Sequence, residues 1–260
     1  MIHIGTSGYS YDDWHGPFYP PDTQPRDRLA FYAQQFRCVE VNSTFYRQPA
    51  AAMTEALARK VPEDFRFALK VYGGITHDWT AATRADFAVY EEGCRPLIER
   101  GMLGAVLAQF PQSFQPTKPA VGHVRRLREM WRELPLAVEF RHRRWLDERA
   151  FELLRQDDIG FCCVDEPPLP DLMPATVKVT ARLSYARFHG RNAEMWYEHE
   201  EAWQRYDYLY SPEELAEWVP RIKSLARDAD EVYVFFNNHY EAQAATNARD
   251  LAAQLDMDLA

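Results

Sequence analysis

Apolar residues along the chain fall into short runs separated by longer stretches with helical spacing. Eight runs read as strands: Ile2 to Gly5, Cys38 to Asn42, Phe65 to Lys70, Ala105 to Gln109, Leu136 to Phe140, Ile159 to Val164, Ser184 to His189 and Glu231 to Phe236. Between them, apolar positions recur every three or four residues over Arg28 to Phe36, Met53 to Lys60, Arg84 to Arg100, Ala120 to Leu134, Glu148 to Gln156, Ser211 to Arg227 and Glu241 to Leu255, which predicts amphipathic helices. Strands alternating with helices predict parallel βα units. Several strand runs, such as Gly160 to Val164 and Val232 to Phe236, are apolar at consecutive positions, as expected of strands covered on both faces. The expectation is an α/β protein, a single-domain (β/α)₈ barrel of the TIM type over residues 1–260, close to the roughly 250 residues such a barrel uses.

Two connections break the pattern. Asp165 to Leu183 contains Pro167, Pro168, Pro170 and Pro174, so the sixth helix is expected to be short, irregular or absent. Gly190 to Tyr210 is long and carries Trp196, Tyr197, Trp203, Tyr206, Tyr208 and Tyr210; a connection of that length predicts a lid over the site.

Composition narrows the classes. Apolar residues make up 47% and charged residues 27%, enough for a sizeable core and too apolar for a disordered chain. A formal charge of −9 argues against broad electrostatic capture of nucleic acid or anionic membrane, while leaving room for a local basic pocket. No apolar run approaches the roughly 18 residues needed to cross a bilayer, and the first residues read as a strand with no basic region before it. A cytoplasmic protein is expected. Cys38, Cys94, Cys162 and Cys163 lack CxxC spacing and are expected as buried small hydrophobes in reducing surroundings. No Walker loop, no GxGxxG after a strand, no GxSxG and no HExxH occurs, so nucleotide, serine-hydrolase and zincin readings have no support.

In a (β/α)₈ barrel the active site forms at the C-terminal ends of the strands. Those ends bring Glu40, Glu139, Asp165 and Glu166 as acids, Lys70, Arg141, Arg187 and Arg191 as cations, and His77, His142, His189 and His239. Amides Asn42, Gln109, Asn237 and Asn238, with Tyr46, complete the rim. A strand-end carboxylate serves as general base, general acid or hard-metal ligand. Lysine offers a point charge or, with a depressed pKa, a nucleophilic amine, and arginine a fork suited to anions. Against these stands a bland alternative: acids and cations that simply neutralise each other across the barrel mouth. For Asn238 the bland alternative is capping of the helix that follows, and for His142 and His239 a hydrogen-bonded strand-end role. Gly5 to Gly8 is a small-residue turn leading into Tyr9, Tyr11, Trp14, Phe18 and Tyr19, aromatics placed to pack as a flap.

The segments IGTSGYSYDDWHGPFYP, VEVNSTFYRQP, FRFALKVYGGITH, LAQFPQSF, AVEFRHRRW, ARFHGRN and VYVFFNNHYEAQAATNA resemble the DUF72 family, also called YecE-like proteins, from Ile4 to about Ala248. The resemblance implies a (β/α)₈ barrel with a polar cleft at the strand C-terminal ends. It implies no reaction and no metal motif.

From the residues, the leading expectation is an enzyme performing acid–base chemistry on a small, polar, anionic substrate such as a sugar or phosphorylated metabolite. Glu40, Glu139, Lys70 and His189 are the catalytic candidates; Asn42, Tyr46, His77, Gln109, Arg141, Arg187, Asn237 and Asn238 are the binding candidates. No cofactor is assigned, and the resident metal is taken as none. One alternative is metal-assisted hydrolysis of a phosphodiester with Glu139, Asp165 and His189 as ligands. The other is a non-catalytic protein that binds an anionic ligand.

Overall fold

A computed structural model describes residues 1–259. Eight strands form the frame: β1 (Ile2–Thr6), β2 (Cys38–Val41), β3 (Arg66–Lys70), β4 (Leu103–Gln109), β5 (Leu136–Glu139), β6 (Gly160–Asp165), β7 (Leu183–Phe188) and β8 (Glu231–Phe236). Every pairing is parallel, β2 through β8 in chain order with β1 against β8. The sheet closes at β1 and β2, where Ser7 bridges to Glu40 and the Gly8 N–H donates to the Glu40 carbonyl at 2.7 Å. The result is the closed TIM-type barrel that the alternation predicts.

The seam between β1 and β2 is built differently from the other ladders. The Tyr32 hydroxyl sits in it, accepting from the Thr6 N–H at 2.9 Å and donating to the Cys38 carbonyl at 3.1 Å. One side chain thus satisfies a donor and an acceptor that would otherwise be buried unpaired. Gly5 faces the same gap, and a Cβ there would run into the Cys38 carbonyl oxygen; only glycine lets the two strands approach this closely.

Among the described residues, ten α-helices flank the barrel: α1 (Arg28–Tyr32), α2 (Ser43–Tyr46), α3 (Ala51–Ala58), α4 (Gly73–Thr76), α5 (Arg84–Glu99), α6 (Lys118–Met130), α7 (Glu148–Gln156), α8 (Pro212–Ala216), α9 (Val219–Asp228) and α10 (Gln243–Gln254). Thr83 and Asp86 form a reciprocal cap at the start of α5. Three ends differ from the periodicity. The run from Ser211 to Arg227 is two helices, because Pro220 lacks an N–H and its ring blocks the carbonyl of Ala216. α6 stops at Met130, where the Arg128 guanidinium collects the carbonyls of Trp131, Arg132 and Leu134. α10 begins at Gln243 because Glu241 and Ala242 take φ of 45° and 62°, outside the right-handed helical region.

Between β6 and β7 there is no helix, as the prolines predict. Thr180 holds this stretch, its hydroxyl accepting from the Phe161 N–H at 2.8 Å and donating to the Ile159 carbonyl at 2.7 Å. All four cysteines are free and buried, and no helix of the described residues is long and apolar enough to cross a membrane.

Candidate functional site

A cavity of about 550 Å³ opens at the C-terminal ends of the strands, within the usual range for small-molecule sites. Its walls come from Gly8 to Tyr11 after β1, Val41, Asn42, Ser43 and Tyr46 at β2 and α2, Lys70 at the end of β3, Gln109 at the end of β4, Arg141 after β5, Arg187 on β7, Asn237 and His239 after β8, and Tyr206. The lining holds three cationic side chains and no Asp or Glu. In a chain of net charge −9, that segregation puts cationic side chains at the cavity surface and their carboxylate partners beneath it.

The acids lie one layer deeper. Residues two apart on a strand point the same way, so Tyr185 and Arg187 both face the barrel interior from β7. Arg187 Nη2 donates to Glu40 Oε1 and Nη1 to Glu139 Oε2, both at 2.7 Å, and the Tyr185 hydroxyl donates to Glu40 Oε2 at 2.7 Å. Glu139 Oε1 pairs with Arg141 Nε and lies 3.2 Å from His189 Nε2. Arg141 Nη1 reaches on to Glu166 Oε2 at 3.3 Å, while Glu166 Oε1 accepts from the Met173 N–H at 2.9 Å. Glu40, Glu139, Arg187 and His189 are all buried.

This chain of charges sets the protonation states. Burial alone would raise the Glu139 carboxyl pKa, but the guanidiniums of Arg141 and Arg187 hold it well below the usual carboxylate range. Burial pushes Glu166 up to about 7 despite Arg141. Burial, reinforced by the Arg141 charge, lowers His189 to about 3, so its imidazole is neutral at physiological pH. Burial and then the Arg187 charge bring Lys70 down to about 7, and burial with the Lys70 charge brings His77 to about 4.

Lys70 has no carboxylate within ion-pair distance among the described residues; its ammonium sits over the Phe45 ring, 4.4 Å from the centroid. Four polar atoms of lining residues are buried without a hydrogen-bond partner among the described residues, Asn42 Oδ1, Arg187 Nε, His239 Nδ1 and Arg141 Nε, the last facing Glu139 Oε1 as an ion pair.

Most residues expected at the rim are there, in different positions. Asn42, Tyr46, Lys70, Gln109, Arg141, Arg187 and Asn237 line the cavity. Glu40, Glu139 and His189, read from the sequence as catalytic candidates, are held beneath it in the arginine network rather than facing the open space. His77 lies outside the lining, against the Phe45 ring. Asn238 turns away: its amide donates to the Tyr208 carbonyl at 2.8 Å and to Asn247 at 2.9 Å, fastening a loop and α10. His142 caps the following turn, its ring accepting from the Arg144 N–H at 3.1 Å. The metal trio does not converge, because both Asp165 oxygens are taken by Arg191, Tyr210 and Trp218. Among the described residues, no group of three or more His, Cys, Asp or Glu is arranged to hold a metal.

His239, assigned a bland role from the sequence, is a lining residue stacked on Tyr11 with centroids 4.6 Å apart. Tyr9 and Tyr11, expected from the sequence as flap aromatics able to stack on a ligand ring, reach the lining together with Ser10 and Ser43, for which no role was expected; all four lie within five residues of the end of β1 or β2. Of the Gly190 to Tyr210 connection, Tyr206 reaches the lining. The Asn192 amide fastens that connection by donating to the carbonyls of Gln204 and Asp207, both at 3.1 Å.

Comparison with known proteins agrees with the geometry. The sequence matches the family described as "Protein of unknown function DUF72" over residues 3–260. It is 29% identical to the UPF0759 protein YunF of Bacillus subtilis (strain 168), over 99% of this chain and 96% of that one. To the UPF0759 protein YecE of Escherichia coli (strain K12) it is 32% identical, over 55% of this chain and 49% of the relative. The crystal structure of a DUF72 family protein from Thermotoga maritima MSB8 superposes with a TM-score of 0.91 at 42% identity, covering 98% of this chain and 99% of that one. One from Enterococcus faecalis V583 gives 0.89 at 30% identity, covering 99% and 96%. With the fold, the full-length match and these relatives in agreement, the chain belongs to the DUF72 family of TIM-barrel proteins of unknown function.

Proposed function

We propose that this protein is an enzyme that performs acid–base chemistry on a small, polar, anionic substrate bound at the strand C-terminal ends. The observation that carries this reading is the cavity lining, in which Lys70, Arg141 and Arg187 appear with amides, hydroxyls and aromatic rings and without any carboxylate. An anionic group is what such a surface attracts. Lys70 supplies the chemistry, because an amine that titrates near 7 both accepts and donates a proton at physiological pH. Arg141 and Lys70 meet the anion, while Asn42, Gln109 and Asn237 orient the rest of the molecule. Glu40 and Glu139 act at one remove, by fixing the arginines.

A thermal-shift screen of phosphorylated and carboxylated metabolites, with neutral analogues as controls, tests the reading. An anionic ligand at 100 times its dissociation constant stabilises the fold by about 2.7 kcal/mol, and a substrate found this way is turned over by the parent protein and not by Lys70→Gln. Binding without turnover would make the protein an anion-binding module. Neutral analogues that stabilise as well as the anions would overturn the anionic assignment.

A further inference from the structure

We propose that Lys70 is a nucleophile, and that the protein forms a covalent imine between the Lys70 amine and the carbonyl carbon of a small aldehyde or ketone that carries an anionic group. The proposal rests on the anionic-substrate reading above and names the substrate class for the same cavity.

Lysine is scarce in this chain, with five residues, Lys60, Lys70, Lys118, Lys178 and Lys223, and Lys70 is the one that lines the cavity. The other two cationic residues of the lining, Arg141 and Arg187, are arginines that each bridge two carboxylates. A lysine whose role was charge neutralisation would face a carboxylate, yet the nearby acids, Glu40 and Glu139, are engaged by Arg187 and Arg141. The groups acting on Lys70 from the neighbouring strands are Arg187 on β7, Glu139 and Arg141 at β5, and Glu40 on β2; His77, after α4, also feels it. Burial and then the Arg187 charge outweigh the pull of Glu139 and Glu40 and leave the amine unprotonated in a large fraction of molecules near pH 7, while the Phe45 ring lies 4.4 Å from Nζ on one side. Neutral amine is the form with a lone pair to donate. Asn42 Oδ1, a buried acceptor without a partner among the described residues, lines the same cavity and suits a hydroxyl or iminium N–H donor.

The chemistry balances without a redox partner. The Lys70 lone pair forms the C–N bond as the carbonyl π electrons move to oxygen. One amine proton passes to that oxygen, giving a carbinolamine. A second proton, taken from water in the open cavity, protonates the hydroxyl, which leaves as water while the nitrogen lone pair forms the C=N bond. Amine, carbonyl and one proton become iminium and one water. The iminium then withdraws electrons from the adjacent carbon, lowering the barrier to removing a proton there.

Reductive trapping decides the matter. The full-length protein is incubated with glyoxylate, pyruvate or glyceraldehyde 3-phosphate, and separately with uncharged propanal, in the presence of cyanoborohydride. Intact mass and peptide mapping then locate the adducts. The expected result is saturable modification of Lys70 by at least one anionic carbonyl, at least tenfold faster than at the other four lysines, slowed by inorganic phosphate and absent in Lys70→Arg. Because the sites are mapped in the parent protein, the conclusion does not depend on that variant folding. Labelling of Lys70 no faster than the other lysines by every carbonyl overturns the proposal. The Lys70 pKa, read from the pH dependence of acetic anhydride labelling, separates the two failures. An amine titrating near 7 without trapping removes the imine and leaves the acid–base reading intact, and one titrating near 10 removes both.

Discussion

Arg187 has both Nη groups committed at 2.7 Å to carboxylates that arrive from β2 and β5. Its removal strands two buried acids, only one of which retains another arginine. Breaking a buried pair by deleting one partner costs about 3–5 kcal/mol, so Arg187→Met is expected to lose that much in chemical denaturation. Adding Glu40→Gln should restore part of it. A loss below about 1 kcal/mol, the level of an exposed pair, would show that the network is not what holds these acids. Lys70 gives an effect of opposite sign. Its pKa in the folded protein lies near 7, below the ordinary 10.5, so between those values the unfolded chain binds more protons and the Lys70 contribution to stability rises with pH. Lys70→Met lacks that dependence. The stability of Lys70→Met relative to the parent is therefore expected to be most favourable below pH 7 and to shrink as pH rises toward 10, measured by denaturation of both proteins across the range.

At the scale of elements, one hydroxyl completes the seam of the barrel beside the Ser7–Glu40 bridge. Tyr32→Phe keeps the ring packing but leaves the Thr6 N–H and the Cys38 carbonyl without the hydroxyl between them. Abandoned buried groups of this kind cost about 1–3 kcal/mol, and a loss in that range is expected in urea denaturation. The Gly190 to Tyr210 connection is fastened by the two hydrogen bonds of Asn192, and Tyr206 is its contribution to the cavity. Asn192→Ala should weaken binding of an anionic ligand, seen as a smaller thermal shift at fixed concentration, while the ligand-free protein stays within about 1.5 kcal/mol of the parent. Unchanged affinity would remove the lid from the site. The strand and helix runs themselves were legible because period 2 and period 3.6 are properties of one segment at a time. The splitting at Pro220 was legible in principle from the same rule about proline, whereas the early end of α6 needed the Arg128 guanidinium in place over three carbonyls.

For the whole molecule, stability is expected to be uneven in a way the fold dictates. Strands β3 to β8 are buried and laddered on both sides, and β1 and β2 on one side each with the Tyr32 seam between them, while the stretch between β6 and β7 lacks a helix and relies on contacts such as those of Thr180. Backbone amides with few protected hydrogen bonds open at low free energy. Hydrogen exchange should therefore be fastest, outside the chain ends, across residues 166–182 and slowest in β4 and β8; equal protection of the two would contradict the picture.

The sequence by itself determined that eight strands and their helices form a closed parallel barrel whose sixth helix is short, irregular or absent, and which rim carries polar residues. Those features follow from local periodicity, proline positions and strand ends, all readable within a short window. Tertiary structure decided which polar residues face the cavity and which neutralise one another. Glu40 and Glu139 lie 147 and 48 residues from Arg187 in the chain, and the sequence offers no measure of the distance between them. Closure of the barrel brings them to hydrogen-bonding range, buries the acids under the arginines and leaves Lys70 as the amine without a counter-ion. Charge and pKa depend on separation and burial in three dimensions, so the division of one polar rim into a buried network and an open cationic cavity belongs to the fold.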